Sequence, residues 1–99
     1  ALLHATKDAL RATQLLPQSS KSWLVAANAL EMLLKFRESI KYYNKAKEID
    51  PEALAQSITP EIERLDNRQS LWDQARAFGW SEDMLRLAFD VGNVEEWDR

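Results

Sequence analysis

The chain has 99 residues, 45% of them apolar and 29% charged, with two glycines, no cysteine and a net charge of −3. That composition suits one ordered, helix-rich domain rather than a disordered segment, and it excludes disulfides and cysteine-based metal or thiolate chemistry. Thirteen basic residues are scattered among sixteen acidic ones and form no stripe that would track phosphates, so neither nucleic acid nor an anionic membrane is expected as a partner.

No apolar run approaches the roughly 18 residues of a membrane span, and no secretory signal is visible. The absence of cysteine fits an intracellular protein, cytoplasmic or nuclear. A start at Ala1 rather than methionine leads us to expect a piece trimmed from a longer chain.

Apolar spacing is helical nearly everywhere, and no stretch alternates with period two. In residues 1–15, Leu2, Ala5, Ala9, Ala12 and Leu15 or Leu16 fall near one helical face. Pro17 ends that helix, because proline disfavours helical geometry in the residue before it. Ser20 reads as an N-cap for a second helix over 21–34. A third helix is expected over 37–49, antiparallel to the second because the connection around Lys35 and Phe36 is short.

Asp50 followed by Pro51 reads as a cap with proline at the first helical position, opening a short helix over 51–57. Thr59 and Pro60 repeat the device. They predict a fresh start at Pro60 and a helix to Phe78, about 28 Å long. Its apolar seam would be Ile62, Leu65, Trp72 and Ala75, interrupted by Gln69. Gly79 supplies a left-handed stop and Ser81 caps a helix over 82–90. Gly92 ends that helix, and Val94 to Arg99 begin another.

Pro17 and Pro51 stand 34 positions apart (51 − 17), and superposing the segments before them puts Ala12 on Ala46 and Leu15 on Ile49. A helical period of that length suggests stacked helix pairs. Within it, Trp23 is followed by the small pair Ala26 and Ala27, then Leu30, Phe36, Ser39, Tyr43, Ala46 and Pro51. This run, residues 20–51, resembles a tetratricopeptide repeat (TPR). Leu30 stands where that family usually has tyrosine, and Ser39 where it usually has alanine. Residues 1–17 resemble the second helix of a preceding, partial repeat. Residues 52–99 depart from the pattern, although Gly92 to Glu96 resemble the turn of a further pair. The expectation is one all-α domain over residues 1–99: an antiparallel helix-pair stack with divergent C-terminal helices.

The resemblance implies a protein-interaction module that binds a peptide or helix of a partner, with no catalysis and no cofactor. In a TPR array the first helix of each pair lines a groove. Its groove-facing places map to Lys21, Leu24, Val25, Asn28, Glu31 and Met32. The plainer reading is that Leu24 and Val25 pack on the preceding helix while Lys21 and Glu31 are solvated.

One TPR subgroup, found in chaperone adaptors, clamps a C-terminal carboxylate. Asn28 matches one clamp asparagine, but Leu24 and Val25 stand where a lysine and a second asparagine belong, so the charge-assisted donors are missing. A third possibility, a regulatory segment of an enzyme, rests on nothing readable here. There is no nucleophile–base pair, phosphate-cradling loop or metal-ligand spacing.

His4 is the sole histidine and reads as a rim residue. Glu61, Glu63, Asp66 and Asp73 read as a solvated face, with Arg64, Arg68 and Arg76 as helical-spacing partners worth a few tenths of a kcal/mol each. Trp72, Phe78, Trp80, Phe89 and Trp97 are expected to build the C-terminal core. Trp80 and Trp97 are candidate exposed anchors for a partner. Exposed ends of a short array can also pair with each other, so self-association is an open expectation.

Overall fold

Five helices follow one another in the computed structural model, which describes residues 2–90. They are α1 (Leu2–Leu15), α2 (Ser20–Met32), α3 (Phe36–Ile49), α4 (Pro51–Ala77) and α5 (Glu82–Asp90), with no strand among the described residues. The fold is all-α. The expected turn over Gly92 to Glu96, the helix from Val94 and the anchor Trp97 lie outside the described residues.

Helix α1 buries Thr6, Ala9 and Thr13 against the next helix, whereas Ala5, Leu15 and Leu16 are exposed. Of the face that spacing suggested, Ala9 is buried and Ala12 half-buried, and Thr6 and Thr13 complete a small, partly polar inward side. The Thr13 hydroxyl is satisfied by donating to the Leu10 carbonyl at 2.6 Å. Small residues here let α1 lie close to Ala26 and Ala29 of α2. Helix α2 begins one residue earlier than expected. Ser19, not Ser20, is the N-cap residue, and its side chain makes no capping bond.

The turn from α2 to α3 is a Schellman motif. Leu34 N–H donates to the Glu31 carbonyl at 2.8 Å and Lys35 N–H to the Leu30 carbonyl at 3.0 Å. This places Leu34 in the left-handed region, φ 64°, a position that glycine usually fills. Leu34 stays there because its side chain packs on the main core. The same motif closes α4. Gly79 N–H donates to the Arg76 carbonyl and Trp80 N–H to that of Ala75, with Gly79 at φ 96°. Ser81 then caps α5 by accepting from Met84 N–H at 3.2 Å.

Helices α2 and α3 run antiparallel. Ser39 meets Ala27, and four residues back along α2 Trp23 meets Tyr42. Ala26, Ala27, Ser39 and Ala46 are fully buried along this contact. The Ser39 hydroxyl donates to the Ala27 carbonyl at 2.6 Å, so the buried oxygen has its partner. Trp23 lies across the seam. Its indole N–H donates to the Pro17 carbonyl at 3.0 Å, and its ring lies 5.3 Å from Tyr42. It is a packing residue that ties the α1–α2 turn to α3.

Pro60 does not break the chain. Helix α4 runs unbroken from Pro51 to Ala77, about 40 Å at the standard rise. Thr59 is therefore not a cap. Its hydroxyl bonds backwards, to the Ala55 carbonyl at 2.8 Å. The reason is tertiary. Leu54 and Ile58 before the proline, and Ile62, Leu65, Trp72 and Ala75 after it, all belong to one core. Pro60 itself is exposed, so water can serve the Gln56 carbonyl that its missing N–H leaves open. Pro60→Ala should restore that bond and raise stability by about 1–2 kcal/mol, after allowing for the greater entropy of the unfolded chain. A higher urea midpoint at unchanged slope would register the gain. A lower midpoint would mean that the proline helps set the course of α4.

The main core joins α2, α3, α4 and α5 around Ala27, Phe36, Tyr43, Ile58, Leu65, Leu85 and Phe89. Three rings meet there. Trp72 lies 5.2 Å from Phe89 and 6.0 Å from Phe36 between centroids, both edge-on. Phe78, expected in this core, is instead 88% exposed. It ends α4 just before the Gly79 turn, where the chain turns away.

Candidate functional site

Of the residues expected to face a groove, Lys21, Val25, Asn28 and Met32 are exposed on α2. Val25, Asn28 and Met32 stand at i, i+3 and i+7, one row on one face. Val25 is 52% and Met32 55% exposed, high for apolar side chains in the middle and last turn of a helix. Leu24 is half-buried and packs on the main core.

Glu31 departs furthest from expectation. It is only 8% exposed, so it is not the solvated residue that the plainer reading predicts. Both of its oxygens are taken by α4. Arg64 grips it with two nitrogens, Nη2 at 2.7 Å from Oε1 and Nη1 on Oε2. Arg68 Nη1 donates to Oε2 at 2.8 Å. Arg64 also holds Glu61, one turn away on its own helix, at 2.7 Å.

Burial by itself would raise the Glu31 carboxyl, but hydrogen bonds and charge from Arg64 and Arg68 outweigh it and hold the group below its ordinary value. The same contacts raise Arg64, first through its hydrogen bond to Glu31. Tyr43, nearby, is pushed up by burial and then by the Glu31 and Glu61 charges. Arg64 thus keeps the helical-spacing partner expected for it. Arg68 turns to α2 instead.

Arg68 is further fixed by aromatic rings. Its guanidinium carbon lies 4.7 Å from the centroid of Phe36 and 5.7 Å from that of Phe89. Among the described residues only its Nη1 has a protein acceptor. No buried side-chain nitrogen or oxygen there lacks a partner, so the remaining Arg68 donors reach solvent.

Beside this cluster lies an open cleft of about 410 Å³. Asn28, Glu31 and Met32 of α2 and Leu34 of the turn form one side. Arg64 and Arg68 of α4 and Phe89 of α5 form the other. The exposed α2 row therefore runs into a cleft with apolar walls and a held guanidinium. The α4 and α5 members were missed by sequence reasoning. The one local signal was three arginines at i, i+4 and i+12 on a helix rich in acids, and those acids offered nearer partners.

The remaining candidates are dispersed. Trp80 is 38% exposed in the α4–α5 turn, with Met84 and Leu87 exposed on the adjacent face of α5. His4 is exposed. Asp73, read as part of a solvated face, pairs with Arg37 of α3 at 3.2 Å and accepts from Gln69 at 2.9 Å. Among the described residues no helix is long and apolar enough to cross a membrane. Comparison with protein-family models, curated proteins and solved structures finds no match to this chain.

Proposed function

We propose that this chain is a TPR-like protein-interaction module. It binds a peptide or helix of a partner along the outer face of α2 and so helps to assemble a complex. The observation that carries the reading is the exposed row Val25–Asn28–Met32 opening into the cleft beside Arg68. A row of apolar side chains with a polar one between them suits a segment laid along the helix. The buried small residues at the α2–α3 contact support the TPR likeness, since they do there what small residues do in such a pair. The role is binding, with no cofactor. The partner is a protein and not a nucleic acid, because the row carries apolar and amide groups and no ladder of unpaired cations.

The test is recovery of a partner from the native source with Val25→Glu beside the unaltered chain and a Lys41→Glu control on α3. Val25 and Lys41 are both exposed, so neither change should disturb folding. Recovery falling about tenfold with Val25→Glu alone, which corresponds to about 1.4 kcal/mol, is the expected result. Equal recovery from all three proteins would move the site off α2. Leu24→Glu is a poor probe, because that side chain supports the core.

A further inference from the structure

The cleft between α2, α4 and α5 holds a cation prepared for a ligand. Arginine loses much freedom when it binds, because its long side chain must be ordered. Here the ordering is already done. Glu31 anchors Nη1 of Arg68 at 2.8 Å, and the guanidinium carbon sits over the Phe36 and Phe89 rings, 4.7 and 5.7 Å from their centroids. The donors left over are not sealed from solvent, and the residue lines the cleft. A planar fork of donors held in place matches a carboxylate better than any other common side-chain group.

The neighbouring Arg64 cannot play this part. Its Nη1, Nη2 and Nε all donate to Glu31 or Glu61. Asn28, exposed, also lines the cleft and brings an amide donor to it. Met32, Leu34 and Phe89 supply apolar walls on either side.

We propose that this cleft is a subsite for the side-chain carboxylate of a glutamate or aspartate in the partner segment. Arg68 receives the carboxylate, and apolar neighbours of the acidic residue lie on Met32 and Phe89. The inference rests on the interaction reading above and adds the chemistry of the bound segment. An internal acidic residue fits better than a chain end, because the apolar row continues from Met32 to Val25, about 10 Å along α2. The segment has surface to follow beyond the acid. Glu31 and Glu61 already balance the charges of Arg64 and Arg68. Attraction therefore comes from directed hydrogen bonds, and salt should weaken binding only mildly.

Three probes test this on the intact chain by NMR titration: N-acetyl-leucyl-glutamyl-leucinamide, its glutaminyl counterpart, and N-acetyl-leucyl-leucine with a free C-terminal carboxylate. The glutamyl probe should shift the Arg68 Nε–H and Asn28 amide signals. It should bind about tenfold more tightly than the glutaminyl one, the scale of a charge-assisted bond against a neutral one. Arg68→Lys should erase most of that gap. Met32→Glu, at an exposed position that leaves the core intact, should weaken the glutamyl probe more than the glutaminyl one. Equal binding of the glutamyl and glutaminyl probes overturns the acidic preference while leaving α2 as a docking face. Tighter binding of the free C-terminus overturns the side-chain assignment. Shifts confined to residues outside the cleft, or no shifts at all, overturn the subsite, and the Val25→Glu recovery experiment still judges the broader reading independently.

Discussion

Phe36→Ala should lower the unfolding free energy by about 3–5 kcal/mol. For a domain of this size that is a large share of the whole, of order 5–15 kcal/mol. Phe36 is 1% exposed and begins α3, directly after the left-handed turn at Leu34. Its ring touches Trp72 of α4 edge-on and lies 5.8 Å from Phe89 of α5. It is also the nearer of the two rings under the Arg68 guanidinium. Alanine would therefore open a cavity where α3, α4 and α5 meet and withdraw the support of the cleft arginine. Urea unfolding followed by tryptophan fluorescence and by circular dichroism measures both effects. We expect a lower midpoint by both probes, with the fluorescence of the folded baseline altered because Trp72 loses its neighbour. A loss below about 1 kcal/mol would mean that the Phe36 ring contributes little and that Leu85, Ala88 and the Trp72–Phe89 contact suffice to hold α5.

Glu31→Gln should cost about 1–3 kcal/mol at neutral pH. The substitution keeps the shape and removes the charge that three arginine donors share. The range is set below that of a deeply buried pair because the Arg64 side chain is 41% exposed and water can partly replace the lost acceptor. The sign of the pH dependence follows from the carboxyl being held below its ordinary value of 4.5. Above that value both states are ionised and the stabilisation is complete. As the pH falls below it, the unfolded chain takes up the proton first, and the folded chain loses the contribution as the pH passes through the lowered value. The stability difference between the unaltered chain and the Glu31→Gln variant should thus be full at pH ~7 and should shrink toward pH ~3. A difference that stays constant over that range would show that shape, not charge, is what Glu31 supplies.

The two substitutions act on one assembly from opposite sides. Arg68 is held through its nitrogen by Glu31 and sits over the ring of Phe36. Their effects should therefore not add: the double variant should lose less than the sum, because the second change removes support from an arginine already released. This coupling also bears on binding. A variant that frees Arg68 without unfolding the chain should weaken an acidic ligand by making the protein order the side chain at the moment of binding.

The helices and most of their ends were legible because they depend on neighbours in sequence. Pro17, the Asp50–Pro51 pair, Gly79 and Ser81 act within a few residues through φ, a missing N–H or a capping hydroxyl, and each marks an observed boundary. The spacing of Ala26, Ala27, Ser39, Tyr43 and Ala46 likewise showed which faces would be buried. Pro60 carried the same local signal as Pro51 and was overruled. Core contacts of Ile58 and Leu65 on either side of it stabilise one unbroken helix by more than the lost hydrogen bond costs. The exposed α2 row could be read from the helical repeat, but its outlet into a cleft could not. Glu31 meets Arg64 and Arg68 across 33 and 37 residues of chain, and no periodicity reaches that far. Phe36 and Phe89 come under one guanidinium from the helices that precede and follow α4. Local chemistry determined the helices, their stops and the face of α2 that points outward. Only the stacking of α4 and α5 decided that Glu31 would be neutralised and that Arg68 would be held ready, because charge partners and ring contacts depend on distance in space.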